Sequence, residues 1–190
     1  MQYWWLCLDK STNVWQYLER CIPLLIQQNV DGSTDFFNRS WEEFKVEFND
    51  SRGNYWLGNE LLHQLTSTGR YKLRIDLQAR GNLSWYYAEY SGFLVLSKQT
   101  NYLLRVHGYS GNVGVDAFGT YHNNMMFTTY DRDNDQWTNS DSNNNCAVAH
   151  GGGFWYKDCG HGAVNSVRRR FWWSTGGLIL QSTRMWLLCR

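Results

Sequence analysis

The chain has 190 residues and a mass of 22.4 kDa, which suits one large domain or two small ones. Its formal net charge of +1 at pH 7 gives no bulk field that favours nucleic acid or an acidic surface, and no apolar run approaches the ~18 residues of a membrane span. Trp (11), Tyr (12) and Phe (9) are unusually frequent, and Trp and Tyr combine a large buried area with a polar group suited to recognition.

The N-terminus and the sequons point to different cellular compartments. Residues 1–15, MQYWWLCLDKSTNVW, lack the basic start and the long apolar stretch of a secretory signal, so they predict either a cytosolic protein or an incomplete chain. In contrast, three Asn-x-Ser sequons, at Asn38, Asn49 and Asn82, are glycan acceptors if the protein is secreted. The five cysteines are an odd number, so at least one is unpaired within the chain.

Two short helices are predicted before the first clear strand. Residues 40–48 begin with a capping box in which Ser40 and Glu43 bond each other's backbone amides. Residues 57–69 carry leucines on one helical face, with Asn59 as the expected N-cap. The apolar stripes of both segments indicate core packing rather than a binding face.

Strands follow the helices. Apolar and polar residues alternate in 70–80 and again in 101–111, and a Gly-Asn turn signal at 81–82 leads into a further strand candidate at 83–96. Helices followed by neighbouring strands predict an α+β domain with an antiparallel sheet. After about residue 112 the pattern fades into loops, glycines and aromatics, and loops on a sheet scaffold are where binding residues concentrate.

Carboxylates are dense in the segment TTYDRDNDQWTNSDSNNNCA (128–147). Asp131, Asp133 and Asp135 are spaced by two, so they do not share a helix face, but a loop can fold them around one hard cation such as Ca²⁺, which takes about six to eight oxygens. The segment fails the EF-hand template, because Gln and Ser occupy the positions where Gly and Glu are needed. The spacing alone leaves a metal site and a solvated acidic loop as open alternatives.

Two cysteines follow this acidic loop. Cys146 and Cys159, with His150 and His161, offer two thiolates and two imidazoles to zinc, although their spacing matches no common zinc finger. A disulfide between the two cysteines is the simpler alternative. No nucleophile elbow and no phosphate-binding glycine loop is present, so the motifs do not indicate an enzyme.

Several blocks of sequence carry a family resemblance. They occur in order between residues 24 and 187 and include VDGSTDFFNRSWEEFKVEF, NYWLGNELLHQLTSTGRYKLRIDL, DAFGTYHNNMMFTTYDRDND and GGGFWYKDC. Together they resemble the fibrinogen C-terminal domain, also called the fibrinogen-related domain. The resemblance implies an α+β fold with an antiparallel sheet, short helices and a loop-rich C-terminal calcium and ligand subregion. It assigns residues 23–190 to this domain and leaves 1–22 as a divergent or wrongly assigned N-terminal segment.

The resemblance implies a site for Ca²⁺ in the acidic loop. The expected ligands are the side chains of Asp133 and Asp135 and the backbone carbonyls of Trp137 and Asn139, with Asp131 outside the inner ligand set. The resemblance also implies a Cys146–Cys159 disulfide in place of zinc.

A ligand pocket is implied beside the second cysteine of this pair. Family members often have a cis peptide there, which in this chain would be Asp158–Cys159, and the Cys159 amide would face an acetyl or carboxyl group. The acidic residue used by fibrin-binding members is replaced here, so fibrin polymerisation is not implied. The residues expected to form the pocket are His150, Tyr156, Asp158, Cys159 and His161.

The resemblance therefore predicts a secreted, extracellular, calcium-stabilised recognition module without catalysis. Its expected partners are a glycan, such as an N-acetylated sugar, or an extracellular protein, but not nucleic acid. The alternative is a structural domain without a small-molecule ligand that acts in protein assembly. No heptad run is present, so we expect oligomerisation only through regions outside this sequence.

Overall fold

The computed structural model describes residues 22–31, 35–138, 144–159, 163–166 and 179–190. Within these ranges no helix is long and apolar enough to cross a membrane. The helices are α1 (Trp41–Phe44), α2 (Asn59–Thr66), α3 (Ala117–His122) and α4 (Cys146–His150). The strands are β1 (Leu24–Asn29), β2 (Phe48–Asn49), β3 (Tyr55–Trp56), β4 (Tyr71–Ala79), β5 (Trp85–Val95), β6 (Leu104–Gly111) and β7 (Leu180–Cys189).

The strands of the described residues form one seven-stranded sheet in the order β2-β3-β1-β7-β4-β5-β6, and every pairing is antiparallel. The predicted alternation holds in β4, where every second residue from Tyr71 to Ala79 is buried. β4, β5 and β6 are successive antiparallel neighbours, as the turn signals indicated. The predicted α+β class is confirmed.

β7 occupies a central position that the sequence patterns did not reveal. This strand pairs with β4 on one side and with β1 on the other, so the first and last strands of the described residues are neighbours in the middle of the sheet. Its burial does not alternate strictly, because Ser182 and Thr183 are both buried, and this explains why a period of two was not visible. The long segment between β6 and β7 therefore leaves one edge of the sheet and returns to its centre.

Both predicted helices are present, but α1 is shorter than predicted and α2 has a different N-cap. α1 is shorter than the 40–48 segment, but the capping box of Ser40 and Glu43 is confirmed. The prediction that Asn59 caps α2 is wrong, because Gly58 is the N-cap and Asn59 is the first helical residue, with its side chain 0% exposed. Gly58 has φ +101°, and a Cβ there would lie 2.7 Å from the carbonyl carbon of Val46, so no larger residue fits.

An aromatic cluster joins the sheet to the C-terminal loops. The ring centroids of Phe127 and Trp155 are 5.1 Å apart, and Phe127 also contacts Phe44 and Trp56 at 5.0 and 5.8 Å. The Trp155 indole N–H donates to the Tyr102 carbonyl at 2.7 Å. Phe127 precedes the acidic loop and Trp155 follows α4, so this cluster fixes both ends of the candidate site to the core.

Truncation of a buried side chain of β7 tests the central position of this strand. Met185 is fully buried and pairs with both Ile75 and Gln27. We expect Met185→Ala to lower the free energy of unfolding by about 2–5 kcal/mol, because it removes apolar contacts and leaves a cavity. Denaturant unfolding measures this change, with Val46→Ala, at a side chain that is 61% exposed, as the control. Equal losses in the two variants would contradict the assigned position.

Candidate calcium and ligand site

Asp131 anchors the acidic loop to α1. Its Oδ1 accepts a hydrogen bond from the Trp41 backbone N–H at 2.8 Å and another from the Thr129 hydroxyl at 2.7 Å. The loop begins in a bridge between Thr128 and Phe154. These bonds engage Asp131 with the protein's own donors, and its place outside the inner ligand set stays a prediction.

Arg132 and Asn134 fix the loop from two further directions. The Arg132 guanidinium lies 4.3 Å from the Trp41 ring centroid and donates to Asn101 Oδ1 at 2.8 Å. The Asn134 side-chain amide donates to the Phe127 carbonyl at 2.7 Å. The residues between the aspartates thus hold the backbone of the loop in place.

Asp133 and Asp135 lie at the tip of the loop. Asp133 is exposed, and its Oδ1 accepts from the Asp135 N–H at 3.2 Å. Asp135 is partly buried, and its two carboxylate oxygens accept from the N–H groups of Trp137 and Cys146 at 2.9 and 2.8 Å. Burial raises the pKa of Asp135 to about 6, and the charge of Asp133 adds to this shift.

The donor chemistry of this loop fits a hard cation. Asp133 and Asp135 are two neighbouring carboxylates. Each of their oxygens that accepts a hydrogen bond from a backbone N–H keeps a further lone pair that a cation can use. The Trp137 carbonyl accepts no hydrogen bond from any described residue. Because no group of three or more His, Cys, Asp or Glu side chains gathers within the described ranges, a cation here would need backbone carbonyls and water. Asn139, the remaining expected ligand, lies outside the described residues.

The predicted disulfide between Cys146 and Cys159 is confirmed, with a Cα–Cα distance of 4.9 Å. Zinc ligation by this pair is therefore excluded. Cys146 opens α4, and Asn145 caps that helix by accepting from the Val148 N–H at 3.1 Å. The Asn145 amide also donates to the Thr129 carbonyl at 2.9 Å, which joins α4 to the acidic loop.

Asn145 and the Cys146 amide are structural members of the candidate site that the sequence patterns did not identify. An Asn before a short helix is an N-cap signal, but it gives no indication that the amide also reaches the acidic loop. Cys189 is disulfide-bonded as well.

The backbone at Cys159 differs from the expected form. The described residues contain no cis peptide bond, so the prediction of a cis Asp158–Cys159 bond is wrong. Instead, Cys159 adopts a left-handed conformation with φ +58°, and its carbonyl accepts from His150 Nε2 at 2.5 Å. The Cys159 N–H donates to no described residue.

Tyr156 is not a pocket wall, contrary to the prediction. The side chain is 0% exposed, and its hydroxyl donates to the Gly152 carbonyl at 2.7 Å. Burial raises the pKa of its phenol, and the Asp135 charge adds to that effect. The ring stacks against His150 with centroids 5.6 Å apart, so Tyr156 supports His150 rather than contacting a ligand.

The remaining predicted residues differ in position. Asp158 is exposed beside the disulfide, whereas His161 lies outside the described residues. The sequon asparagines Asn38, Asn49 and Asn82 are all exposed, a necessary condition for carrying glycans.

Removal of the disulfide should weaken both the domain and the order of the acidic loop. The Cys146→Ala/Cys159→Ala variant should unfold with a free energy lower by about 3 kcal/mol, because the bond closes a short loop in the unfolded chain. Calorimetry measures the change, and peptide mapping of the oxidised wild-type protein should recover the two cysteines in one linked peptide. A variant as stable as the wild type would contradict this role.

Comparison with known proteins places the chain in a family. The model of the family described as "Fibrinogen beta and gamma chains, C-terminal globular domain" matches residues 20–178. Tenascin of Gallus gallus is 44% identical over 138 residues, which are 73% of this chain and 7% of that protein. The fibrinogen alpha chain of Homo sapiens is 42% identical over 158 residues, which are 76% of this chain and 17% of that protein. The chain thus spans less than a fifth of these relatives.

Solved structures agree with the sequence relatives. The fibrinogen-like globe domain of human ANGPTL2 has a TM-score of 0.73 and 36% identity, covering 87% of this chain and 79% of that one. Lamprey fibrin D-dimer in complex with the peptide Gly-His-Arg-Pro-amide has a TM-score of 0.69 and 27% identity, covering 87% and 60% of the two chains. This chain belongs to the fibrinogen C-terminal domain family.

Proposed function

We propose that the chain is a calcium-stabilised recognition domain of an extracellular protein, without catalytic activity, that binds a neutral N-acetylated group beside the Cys146–Cys159 disulfide. The observation that carries this proposal is the carboxylate of Asp135, which links the acidic loop to the first amide of α4 at 2.8 Å. Two further facts support it. The relatives are extracellular proteins, and the family's members act in structure or recognition rather than catalysis.

The calcium part of the proposal follows from the electrostatics of the loop. Asp133 and Asp135 are two carboxylates close in space, and one of them is partly buried, so their repulsion and desolvation oppose folding when both are ionised. A divalent cation supplies compensating charge at this point. The Trp137 carbonyl adds an oxygen of the type that Ca²⁺ accepts.

Calcium should raise the thermal stability of the domain through Asp133 and Asp135. A ligand that binds only the folded state at a hundredfold excess over its dissociation constant stabilises that state by about 2.7 kcal/mol. Calorimetry in calcium and in chelator measures this increment, and Asp133→Ala should abolish it. Identical melting curves for the wild type in the two conditions would refute the calcium site.

A matched variant separates ion binding from loop anchoring. Asp131→Ala should lower stability in both conditions, because the Trp41 N–H loses its acceptor, yet it should retain most of the calcium increment. Loss of the increment in Asp131→Ala but not in Asp133→Ala would reverse the assigned roles.

The ligand part of the proposal rests on backbone chemistry. The Cys159 N–H lacks a partner among the described residues, and the disulfide together with the His150 contact holds its peptide in place. Asp158 is exposed beside this amide and adds negative charge. A neutral acetyl carbonyl therefore suits the site better than a free carboxylate or a sulfate, which Asp158 repels.

Binding of N-acetylglucosamine should be weak and selective. Because the site offers one amide donor and few side-chain contacts, we expect a dissociation constant on the order of millimolar, which corresponds to a binding free energy of about 4 kcal/mol. An NMR titration against glucosamine should shift the Cys159 amide only with the acetylated sugar, and only while calcium is present. No shift with either sugar, or equal shifts with both, would remove the acetyl-binding proposal.

A structural domain without a small-molecule ligand is the second candidate. The full burial of Tyr156 and the contact of His150 with the Cys159 carbonyl favour it, because both side chains are engaged within the protein. Such a domain would act through its surface in protein assembly. This second candidate predicts that calcium raises the thermal stability in calorimetry, while neither sugar shifts the Cys159 amide in NMR.

A further inference from the structure

Exposed apolar side chains gather where β4 turns into β5. Leu83 is 57% exposed, Trp85 is 43% exposed, and Ile179, the residue before β7, is 49% exposed. Large side chains of this kind are ordinary when scattered, but a group of them marks a contact surface. These three residues are called the turn patch below.

Backbone pairing brings the turn patch together. Gln78 pairs with Trp85, and its side-chain amide donates to the Leu83 carbonyl at 3.3 Å. On the other side of β4, the Arg80 N–H donates to the Ile179 carbonyl at 2.7 Å. The start of β7, the end of β4 and the start of β5 therefore lie side by side, and the outer two strands are separated by roughly 10 Å.

The same turn contains the sequon Asn82-Leu83-Ser84. Asn82 is exposed, and its Oδ1 accepts from the Ser84 N–H at 3.1 Å. Its Nδ2, the atom that carries an N-linked glycan, donates to no described residue. A glycan on Asn82 would start next to Leu83 and within three residues of Trp85. Neither of the other two sequons has an exposed Trp this close in sequence.

Trp85 and Arg184 supply chemistry that suits a sugar. The Arg184 guanidinium lies 4.9 Å from the Trp85 ring centroid, and Trp85 nevertheless remains partly exposed. The apolar C–H face of a pyranose packs against an indole face, which carries partial negative charge. The Arg184 side chain makes no hydrogen bond to any described residue, and its Nε is buried, so its two terminal Nη groups are the donors left for hydroxyl or acetyl oxygens.

We propose that an N-linked glycan on Asn82 folds back over the turn patch, with its first N-acetylglucosamine against Trp85 and within reach of Arg184. The glycan comes from a lipid-linked oligosaccharide diphosphate in the secretory pathway. The Asn82 Nδ2–C1 bond forms, the C1–O bond to the diphosphate breaks, and the amide loses one proton. The inference rests on the extracellular location given under the proposed function, but not on its calcium or ligand site.

The turn patch is then covered by the protein's own modification. The position of the sequon within the turn favours the glycan over a second copy of the chain, because a branched sugar on Asn82 obstructs protein contacts with Leu83 and Trp85. Asn82 glycosylation would thus reduce the exposed apolar area and stiffen the β4–β5 turn.

Removal of the sequon without disturbing the turn tests this proposal. Ser84→Ala prevents glycosylation of Asn82 but keeps the backbone bonds of residue 84 to Asn82 and Ala79. Ser51→Ala is the matched control, because it removes the Asn49 sequon at a distant exposed turn. Both variants and the wild type are secreted from eukaryotic cells behind a supplied signal peptide.

The expected result is full occupancy of Asn82 by peptide mass spectrometry and a melting temperature about 2–4 °C lower for Ser84→Ala, the scale of one lost stacking contact in a domain of this size. Ser51→Ala should melt as the wild type does. Ser84→Ala should also bind more of a hydrophobic fluorescent dye. After trimming to a single N-acetylglucosamine, NMR should show ring-current shifts of the sugar protons that disappear in Trp85→Leu.

Three outcomes overturn the proposal. The first is an unmodified Asn82 in protein that is secreted in good yield. The second is a modified Asn82 without ring-current shifts and with equal melting of Ser84→Ala and Ser51→Ala. The third is concentration-dependent dimerisation of the glycosylated protein that Trp85→Glu abolishes, which would assign the patch to a second copy. The calcium increment is measured in the same samples, so failure of the calcium site is distinguished from failure here.

Discussion

The antiparallel pairing of β7 with β4 is the constraint on which the arrangement of the domain depends. β7 is the last of the seven strands in chain order, yet it lies between β1 and β4, so the sheet cannot be completed until residues 180–189 are in place. The segment between β6 and β7 must leave the sheet and return to its centre. The acidic loop, α4 and the disulfide all lie on this excursion, and Phe127 and Trp155 pack it against the sheet. The long sequence separation of these contacts also predicts slow folding.

Within this excursion, order comes from polar contacts between loops rather than from regular structure. Asp131 accepts from α1, Asn145 donates to the carbonyl of Thr129, and Asp135 accepts from the first amide of α4. Each of these groups would be costly if it were buried without a partner, so the network specifies one conformation of the loop. The close approach of Asp133 to Asp135 opposes this order through repulsion. A cation bound at this point would convert the repulsion into an additional crosslink.

Pattern and resemblance predicted different parts of this molecule. Alternation identified β4 because only one of its faces is buried, and the capping box identified the start of α1. Alternation could not identify β7, where consecutive buried residues hide the period. The disulfide followed from resemblance, since spacing alone left zinc open. Three features depend on tertiary packing, which neither local propensity nor a motif encodes. They are the N-cap of α2, the trans peptide before Cys159 and the burial of Tyr156.

The inward position of Tyr156 changes which part of the site can recognise a ligand. With Tyr156 buried and His150 stacked on it, Asp158 is exposed and Cys159 is partly exposed at this end of the disulfide. A backbone amide selects an acceptor by position and not by charge, so its selectivity depends on how rigidly its peptide is held. The disulfide fixes that peptide to Cys146, whose own amide is bound by Asp135. A cation bound to Asp135 would therefore be connected to the Cys159 peptide through one hydrogen bond and one disulfide. This short connection gives a physical route by which calcium would control ligand affinity, and by linkage a ligand would strengthen calcium binding by the same factor.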